Sequence, residues 1–242
     1  MRIEARSDQG KIRQNNEDCL AYDARLGIAV LADGMGGPNA GEVASGTAIE
    51  VVMQHLVEHV EHVGAPNAGA LLRGALTLAN RRVCALAGSR RELNGMGTTL
   101  VAAIVQGGTF VVAHVGDSRA YRFRSGELTR LTADHSLVQQ LVTQGILSVA
   151  EARVAPNRNI VTRAIGIESE VECDLTEGDF GAGDLFLLCS DGLTDMIDDP
   201  AIARLCGQVG GEQDHAQLAD ALIDAALHAG GFDNVSVIVL AP

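Results

Sequence analysis

The chain has 242 residues, 47% of them hydrophobic but only 3% aromatic and none Trp, so Val, Leu, Ile and Ala must fill its core. A formal net charge of −13 argues against binding a nucleic-acid backbone, which needs clustered Lys and Arg. Five Cys without any C-x-x-C exclude a disulfide scaffold or zinc ribbon, and no apolar stretch approaches the roughly 20 residues that cross a bilayer.

The opening M-R-I-E-A-R-S-D holds no apolar signal core, so the expectation is a cytoplasmic protein with reduced thiols and no membrane partner. No Pro/Ser-rich linker or charge run divides the sequence, which predicts one domain over residues 1–242. Residues 1–12 and 19–32 read as strands. Gly34, Gly36 and Gly37 then open a loop that lets backbone approach a ligand closely. Residues 40–63 read as a helix, with Ala48, Val52, Leu56 and Val60 repeating every fourth position. Asn67 is placed to cap a second helix that carries Leu72, Leu76, Ala79, Val83 and Leu86 on one face.

Strands are predicted at 99–105 and 109–115, joined by Gly107-Gly108, and another hairpin turns around Arg124-Ser125-Gly126. Residues 136–165 mix short helical pieces with the run A-P-N-R-N and read as a surface flap. A strand at 185–190, helices near 200–206 and 215–229, and a last strand at 235–240 complete the chain. Strands, two long helices, more strands and then helices predict an α+β protein of stacked antiparallel sheets covered by helices.

Acidic residues recur where these strands meet loops: Glu17-Asp18 in R-Q-N-N-E-D, Asp33 in A-D-G-M-G-G, Asp117 in V-G-D-S-R, Asp191 in S-D-G and Asp233 in F-D-N. Antiparallel neighbours would gather them at one sheet end. Packed carboxylates repel and stay partly protonated unless a cation sits among them. Oxygen ligands alone suit a hard divalent cation such as Mg²⁺ or Mn²⁺. The economical reading is a metal-dependent hydrolase.

R-x-x-N-E-D, D-G-M-G-G, G-T-T, G-D-S-R, T-x-D-H-S, S-D-G-L-T-D and D-N-x-S occur here in one order and spacing across residues 1–240. In this the chain resembles the PPM/PP2C metal-dependent Ser/Thr protein phosphatases, most closely their compact bacterial stand-alone members. The resemblance implies a four-layer α-β-β-α sandwich with the metal site at one end. It implies two Mn²⁺ or Mg²⁺ ions, bridged by Asp33, with the Gly34 carbonyl on one and Asp191 and Asp233 on the other. Glu17 and Asp18 would act directly or through metal-bound waters, Asp117 with Asp191 would hold a third, weaker metal, and Arg13 would bind the phosphate. Arg13, Asp33, Asp191 and Asp233 are thus the expected catalytic set. The implied reaction is hydrolysis of phosphoserine or phosphothreonine in proteins by a hydroxide bridging the two metals. A bacterial Ser/Thr kinase pathway, in some relatives secretion-linked, and a monomeric state are further expectations. The alternative is a catalytically silent regulatory module on the same fold, which the retention of Asp33, Asp191 and Asp233 disfavours.

Two departures stand out. Met35 occupies the position where eukaryotic members often carry a His proposed as general acid, and bacterial relatives commonly share the Met. The flap reads Ala155-Pro156 where many bacterial members read His-Pro.

Other residues admit plainer readings. Asp117 could instead order its strand end by pairing with Arg119, and Asn234 either orients Asp233 or a metal-bound water or forms an Asx turn. His114 and His135 read as structural, and Thr98 and Thr99 as supports. His55-Leu56-Val57-Glu58-His59 matches an inverted zinc-protease motif, but that reading leaves every Asp motif unexplained. Cys19–Arg25 and Cys84–Arg90 have the C-x₅-R spacing of cysteine phosphatases without that family's glycine.

Overall fold

Strands buried on both faces read as unbroken apolar runs, and five of them organise this molecule. The computed structural model describes residues 1–37, 39–63, 67–208 and 214–242. One sheet has the order β1 (Arg2–Asp8), β11 (Val235–Ala241), β10 (Leu185–Cys189), β7 (Arg119–Arg124) and β8 (Glu127–Arg130). The other runs β2 (Asp18–Asp23), β3 (Ile28–Met35), β5 (Leu100–Gln106), β6 (Thr109–Val115) and β9 (Asp174–Asp179), with the two-residue β4 (Gly97–Thr98) beside the end of β3. Every pairing is antiparallel.

Alternation along β3 shows how the layers form. Ile28, Val30 and Ala32 face α1 (Ala40–Val63) and α2 (Ala68–Ser89), while Ala29 and Leu31 turn into the space between the sheets. There they meet Val101 and Ala103 of β5, Phe186 and Leu188 of β10, and Ile238 and Leu240 of β11. On the far side, Leu187 and Val237 pack under α5 (Asp191–Thr194), α6 (Asp199–Cys206) and α7 (Asp214–His228) through Leu193, Ile202, Leu222 and Ala226. The result is the four-layer α-β-β-α sandwich. Two short helices, α3 (Leu137–Thr143) and α4 (Val149–Val154), lie between β8 and β9 in the flap. Among the described residues no helix is long and apolar enough to cross a membrane.

Several elements differ from the sequence expectation. The first strand stops at Asp8, whose carboxylate accepts the Gly10 N–H at 2.8 Å, and Gly10 turns with φ +76°. Residues 19–32 form a hairpin, not one strand, because Asp23 caps the turn by accepting Leu26 N–H and Gly27 takes φ +66°. Asn67 stands at the start of α2 but makes no side-chain capping hydrogen bond. β9 was not foreseen: its D-L-T-E-G-D is a polar edge strand without an apolar run. The Gly107-Gly108 turn has φ +61° and +82°, the left-handed pair that a two-residue hairpin requires.

Candidate active site

The antiparallel registers bring the acidic residues to one end of the sandwich. Asp18 lies directly opposite Asp33 across β2 and β3. Asp117 follows β6, Asp191 follows β10 and Asp233 precedes β11. The acidic groups Asp18, Asp117, Asp191 and Asp233 all act electrostatically on Asp33, joining carboxylates from both sheets.

The floor of this site is clamped through its backbone. Asp33 N–H donates to Thr99 Oγ1 at 2.9 Å, while the Asp33 carbonyl accepts from Thr99 N–H and Thr98 Oγ1, each at 2.8 Å. Thr99 Oγ1 in turn lies 2.7 Å from Ser118 Oγ, next to Asp117. Ser190 ties the sheets together: its hydroxyl donates to Asp18 Oδ2 at 2.8 Å and accepts Ser236 N–H at 3.0 Å. Gly34 has no room for a side chain, since a Cβ there would stand 2.1 Å from the Gly41 carbonyl oxygen. That contact seats the loop after β3 against the first turn of α1.

Asn234 does something the sequence reading did not foresee. Its Oδ1 accepts Glu17 N–H at 2.8 Å, and its Nδ2 donates to the carbonyls of Gln9 at 2.8 Å and Asn15 at 2.9 Å. The side chain therefore pins the loop that carries Arg13 and Glu17. It is the main-chain N–H of Asn234 that holds Asp233, donating to Oδ1 at 2.8 Å. Arg13 reaches the centre from this loop, with Nη2 2.6 Å from Asp233 Oδ2. Glu17 sits against Gly41 at the start of α1, its Oε1 accepting from Asn15 Nδ2 at 3.2 Å.

The clustering has an electrostatic cost. Burial first, then Asp18, Asp191, Asp117 and Asp233, hold Asp33 well above the usual carboxylate range. Burial, followed by Asp117, Asp195, Asp233 and Asp18, does the same to Asp191. Burial pushes Asp18 up to about 6 against the hydrogen bonds from Ser236 and Ser190, and pushes Asp117 up to about 6 with Asp134 as the next cause. Asp18 Oδ1 and Asp191 Oδ1 are buried without a hydrogen-bond partner. Buried acceptors are almost always satisfied, so two orphaned oxygens among repelling carboxylates have the donor chemistry of a divalent-cation site.

Asp117 does not pair with Arg119, whose fork grips Asp134 instead through Nε–Oδ1 at 3.0 Å and Nη2–Oδ2 at 2.7 Å. Asp117 and Asp191 line a cleft of ≈ 110 Å³ together with Arg119, Arg130, Arg153 and Arg158. Two flap contacts cross it: Arg158 Nε lies 3.5 Å from Asp195 Oδ2, and Arg153 Nη2 donates to the Thr194 carbonyl at 3.4 Å. Met35 does not line this cleft but lines a second groove with Thr162, Ile167 and Val171.

His114, His135 and Asp174 come together among the described residues, within 4.8 Å of one another. Ordinary hydrogen bonds account for them. His114 Nε2 donates to the Ala133 carbonyl at 2.8 Å, His135 Nδ1 accepts Gly116 N–H at 3.1 Å, and Arg163 binds Asp174 at 2.9 Å. His55 and His59 are neighbours on α1, with ring centroids 4.5 Å apart and planes tilted by 33°, and no third ligand joins them among the described residues. Cys84 donates to the Glu168 carbonyl from within α2, and Cys19 lies in β2; neither occupies a phosphate-cradling loop. Ser190 and Ser236 stood inside recognised motifs without an assigned role, since only the meeting of β10 and β11 puts them beside Asp18. Asp195, which also presses on Asp191, carried no signal beyond its place in S-D-G-L-T-D.

The protein phosphatase 2C family model matches residues 6–224. The serine/threonine phosphatase stp of Listeria welshimeri is 38% identical over 99% of this chain and 95% of its own. The catalytic domain of the serine/threonine phosphatase PstP, solved in complex with two manganese ions, is 40% identical over 98% of this chain and 96% of its own, with a TM-score of 0.86. PppA, described as a key regulatory component of the T6SS in Pseudomonas aeruginosa, is 32% identical over 98% and 96%, with a TM-score of 0.85. With these matches along nearly its whole length, the chain belongs to the protein phosphatase 2C family.

Proposed function

We propose that the chain is a metal-dependent protein serine/threonine phosphatase that hydrolyses phosphoserine and phosphothreonine without a covalent phosphoenzyme. The observation that carries this reading is the convergence of Asp18, Asp33, Asp117, Asp191 and Asp233 with two buried, unpartnered carboxylate oxygens. Asp33, Asp191, Asp233 and the Gly34 carbonyl would hold two Mn²⁺ or Mg²⁺ ions, with Glu17 and Asp18 beside them and Asp117 with Asp191 for a third. When bound, such a pair supplies Lewis acidity and lowers the pKa of a water between the ions from 15.7 towards about 7.

The chain's own residues account for the rest. Arg13 is half-exposed and, among the described residues, its guanidinium is anchored by Asp233 alone, so its planar fork can turn to grip two phosphate oxygens and offset charge as it develops. Asn234 fixes the loop from which Arg13 reaches. The hydroxyls beside the centre, Ser190 and Thr99, are spent on hydrogen bonds to the Asp18 carboxylate and the Asp33 backbone, and among the described residues neither is hydrogen-bonded to a His. Direct attack by water in line with the leaving alkoxide follows. Met35 cannot donate a proton to that alkoxide, so water held near Asp117 is the donor in this reading.

A protein of this activity opposes a Ser/Thr kinase, and the likeness to PppA makes a secretion-linked pathway one setting for it. The test is phosphate release from a phosphothreonine peptide after stripping with EDTA, with Mn²⁺ titrated back. Activity absent in EDTA and restored by Mn²⁺ is expected. Metal-independent turnover, or none by folded protein with Mn²⁺ or Mg²⁺, would overturn the reading.

A further inference from the structure

A second groove lies beside the end of the strand that carries Asp33. Beyond Met35, two residues past Asp33, opens a groove of ≈ 440 Å³. Two residues of extended chain span roughly 7 Å, so the groove begins one or two peptide residues from the carboxylates. Met35, Ile167 and Val171 supply its apolar lining, and Ile167 is 53% exposed there. Ile167 leans on Gly97 of β4, where an added Cβ would stand 2.8 Å from its Cδ1. Because Gly97 pairs with Met35, the groove wall is attached to the strand end that carries Asp33.

The same groove carries Glu168, Glu170 and Glu172, all exposed. None has an ion-pair partner among the described residues. The cation nearest to hand, Arg163, is taken by Asp174 Oδ1 at 2.9 Å and by the Glu172 carbonyl at 3.2 Å. Their backbone is fixed from beneath by the buried Asn80, whose Oδ1 accepts Gly166 N–H at 2.7 Å and whose Nδ2 donates to the Glu168 carbonyl at 2.9 Å. The three carboxylates form no group of ligand atoms gathered within 4.8 Å of one another. A row of separated anions along an apolar trough suits an extended cationic segment, not one metal ion.

We propose that this groove docks the residues flanking the phosphorylated side chain of a protein substrate, and that it selects a flank in which an apolar residue neighbours Lys or Arg. The proposal rests on the phosphatase reading. It deepens that reading by naming the substrate class: phosphoserine and phosphothreonine in basic, apolar surroundings. Rows of like charge steer and select partners more than they add raw affinity, so the selection appears in kcat/KM and weakens with salt.

The test compares three substrates with the Mn²⁺-loaded enzyme: a phosphothreonine peptide flanked by Leu and Arg, the same peptide with Ala and Glu, and para-nitrophenyl phosphate, which has no flank. The wild type is expected to favour the Leu/Arg peptide by about tenfold in kcat/KM, with the ratio shrinking as salt screens the groove. In the triple variant Glu168→Gln, Glu170→Gln, Glu172→Gln the preference should collapse, while aryl-phosphate turnover stays within about twofold of wild type and reports an intact fold. Equal rates on both peptides, a preference for the Glu peptide, or a preference that survives the triple variant would overturn the groove's role and leave the phosphatase reading standing. Failure to hydrolyse the aryl phosphate or either peptide would bring down the phosphatase reading and this one with it.

Discussion

Asp33 and Arg158 both face the active centre, but the chain holds them by opposite means. Asp33 lies near the end of a strand buried on both faces, and three hydrogen bonds with Thr98 and Thr99 fix its backbone. Arg158 stands on a flap whose helix α4 buries no residue and whose Val154 is 79% exposed. The flap relies on caps, such as the box between Ser148 and Glu151, and on two contacts to the α5 end. Local stability follows buried contacts, so the floor opens only with the fold and the rim opens far more easily. Chemistry that needs carboxylates placed to fractions of an ångström sits on the floor, and the rim is free to move around each substrate.

The largest effect should come from the floor. Asp33→Asn removes the carboxylate that the other four press against, and turnover with Mn²⁺ should fall by more than about 10²-fold, beyond the loss expected for an outer partner of a metal ligand. The same change should raise the melting temperature of the metal-free protein, because it deletes a buried carboxylate that four neighbouring acids repel. A variant both inactive and destabilised without metal would show that Asp33 serves the fold instead.

Metal-free protein should also carry the cluster in its pH dependence. Asp18 and Asp117 sit at about 6, above the 3.8 of an exposed Asp, so the folded state binds protons more tightly than the unfolded chain. Their contribution is fully present below about pH 4 and is lost as pH rises through 6. Asp184, held low by the hydrogen bond from Arg124, has the opposite sign, and its contribution is lost only as pH falls below the normal Asp range. Between pH 4.5 and 7.5 the melting temperature without metal should therefore fall, because the raised carboxylates of the cluster outweigh His114 and His135, which burial holds low and whose contribution is instead lost as pH falls through the His range. Mn²⁺ should restore more at pH 7.5 than at 4.5, because ligand carboxylates must be deprotonated to bind it. Calorimetry with and without Mn²⁺ checks both signs, and a melting temperature that climbs with pH in EDTA would refute the repelled cluster.

Asn234→Ala tests the join between floor and loop. It removes one acceptor and two donors that bind Glu17, Gln9 and Asn15. At about 1 kcal/mol per hydrogen bond the loss is roughly 3 kcal/mol, or about 6–12 °C for a chain of this size. Arg13 would lose its fixed origin, so KM for a phosphopeptide should rise along with the drop in stability. Unchanged KM in the folded variant would mean that Arg13 is held by Asp233 alone.

The floor was also the more legible region. Apolar runs ending at Asp33, Asp117 and Asp191 announce a sheet end directly, because strand burial and loop polarity are local properties of sequence. What was not legible needs two distant segments at once. Ser190 meets Asp18 across 172 positions, Asn234 meets Gln9 across 225, and nothing local in either stretch marks the partner. Arg119 had two acids to choose from, and the reach of β8 and the turn after it delivered Asp134 ahead of the neighbouring Asp117. β9 escaped because an edge strand pairs through one side only and can remain polar. The flap was visible as a region, yet its two helices depend on Ser136 and Ser148 as caps, which the mixed composition of residues 135–165 obscured.

The smallest expected effect sharpens the comparison most. Arg158→Ala breaks an ion pair of 3.5 Å between partners 42% and 30% exposed. Pairs of this kind contribute about 0–1 kcal/mol, so the melting temperature should move by no more than about 3 °C. Yet the contact is one of two that cross the cleft, and losing it should shift the flap towards its open arrangement. Hydrogen exchange should then speed up in residues 148–160 and stay unchanged at the β3 and β10 ends. If exchange quickens at Asp33 as well, floor and rim open as one unit, and the separation drawn between them fails.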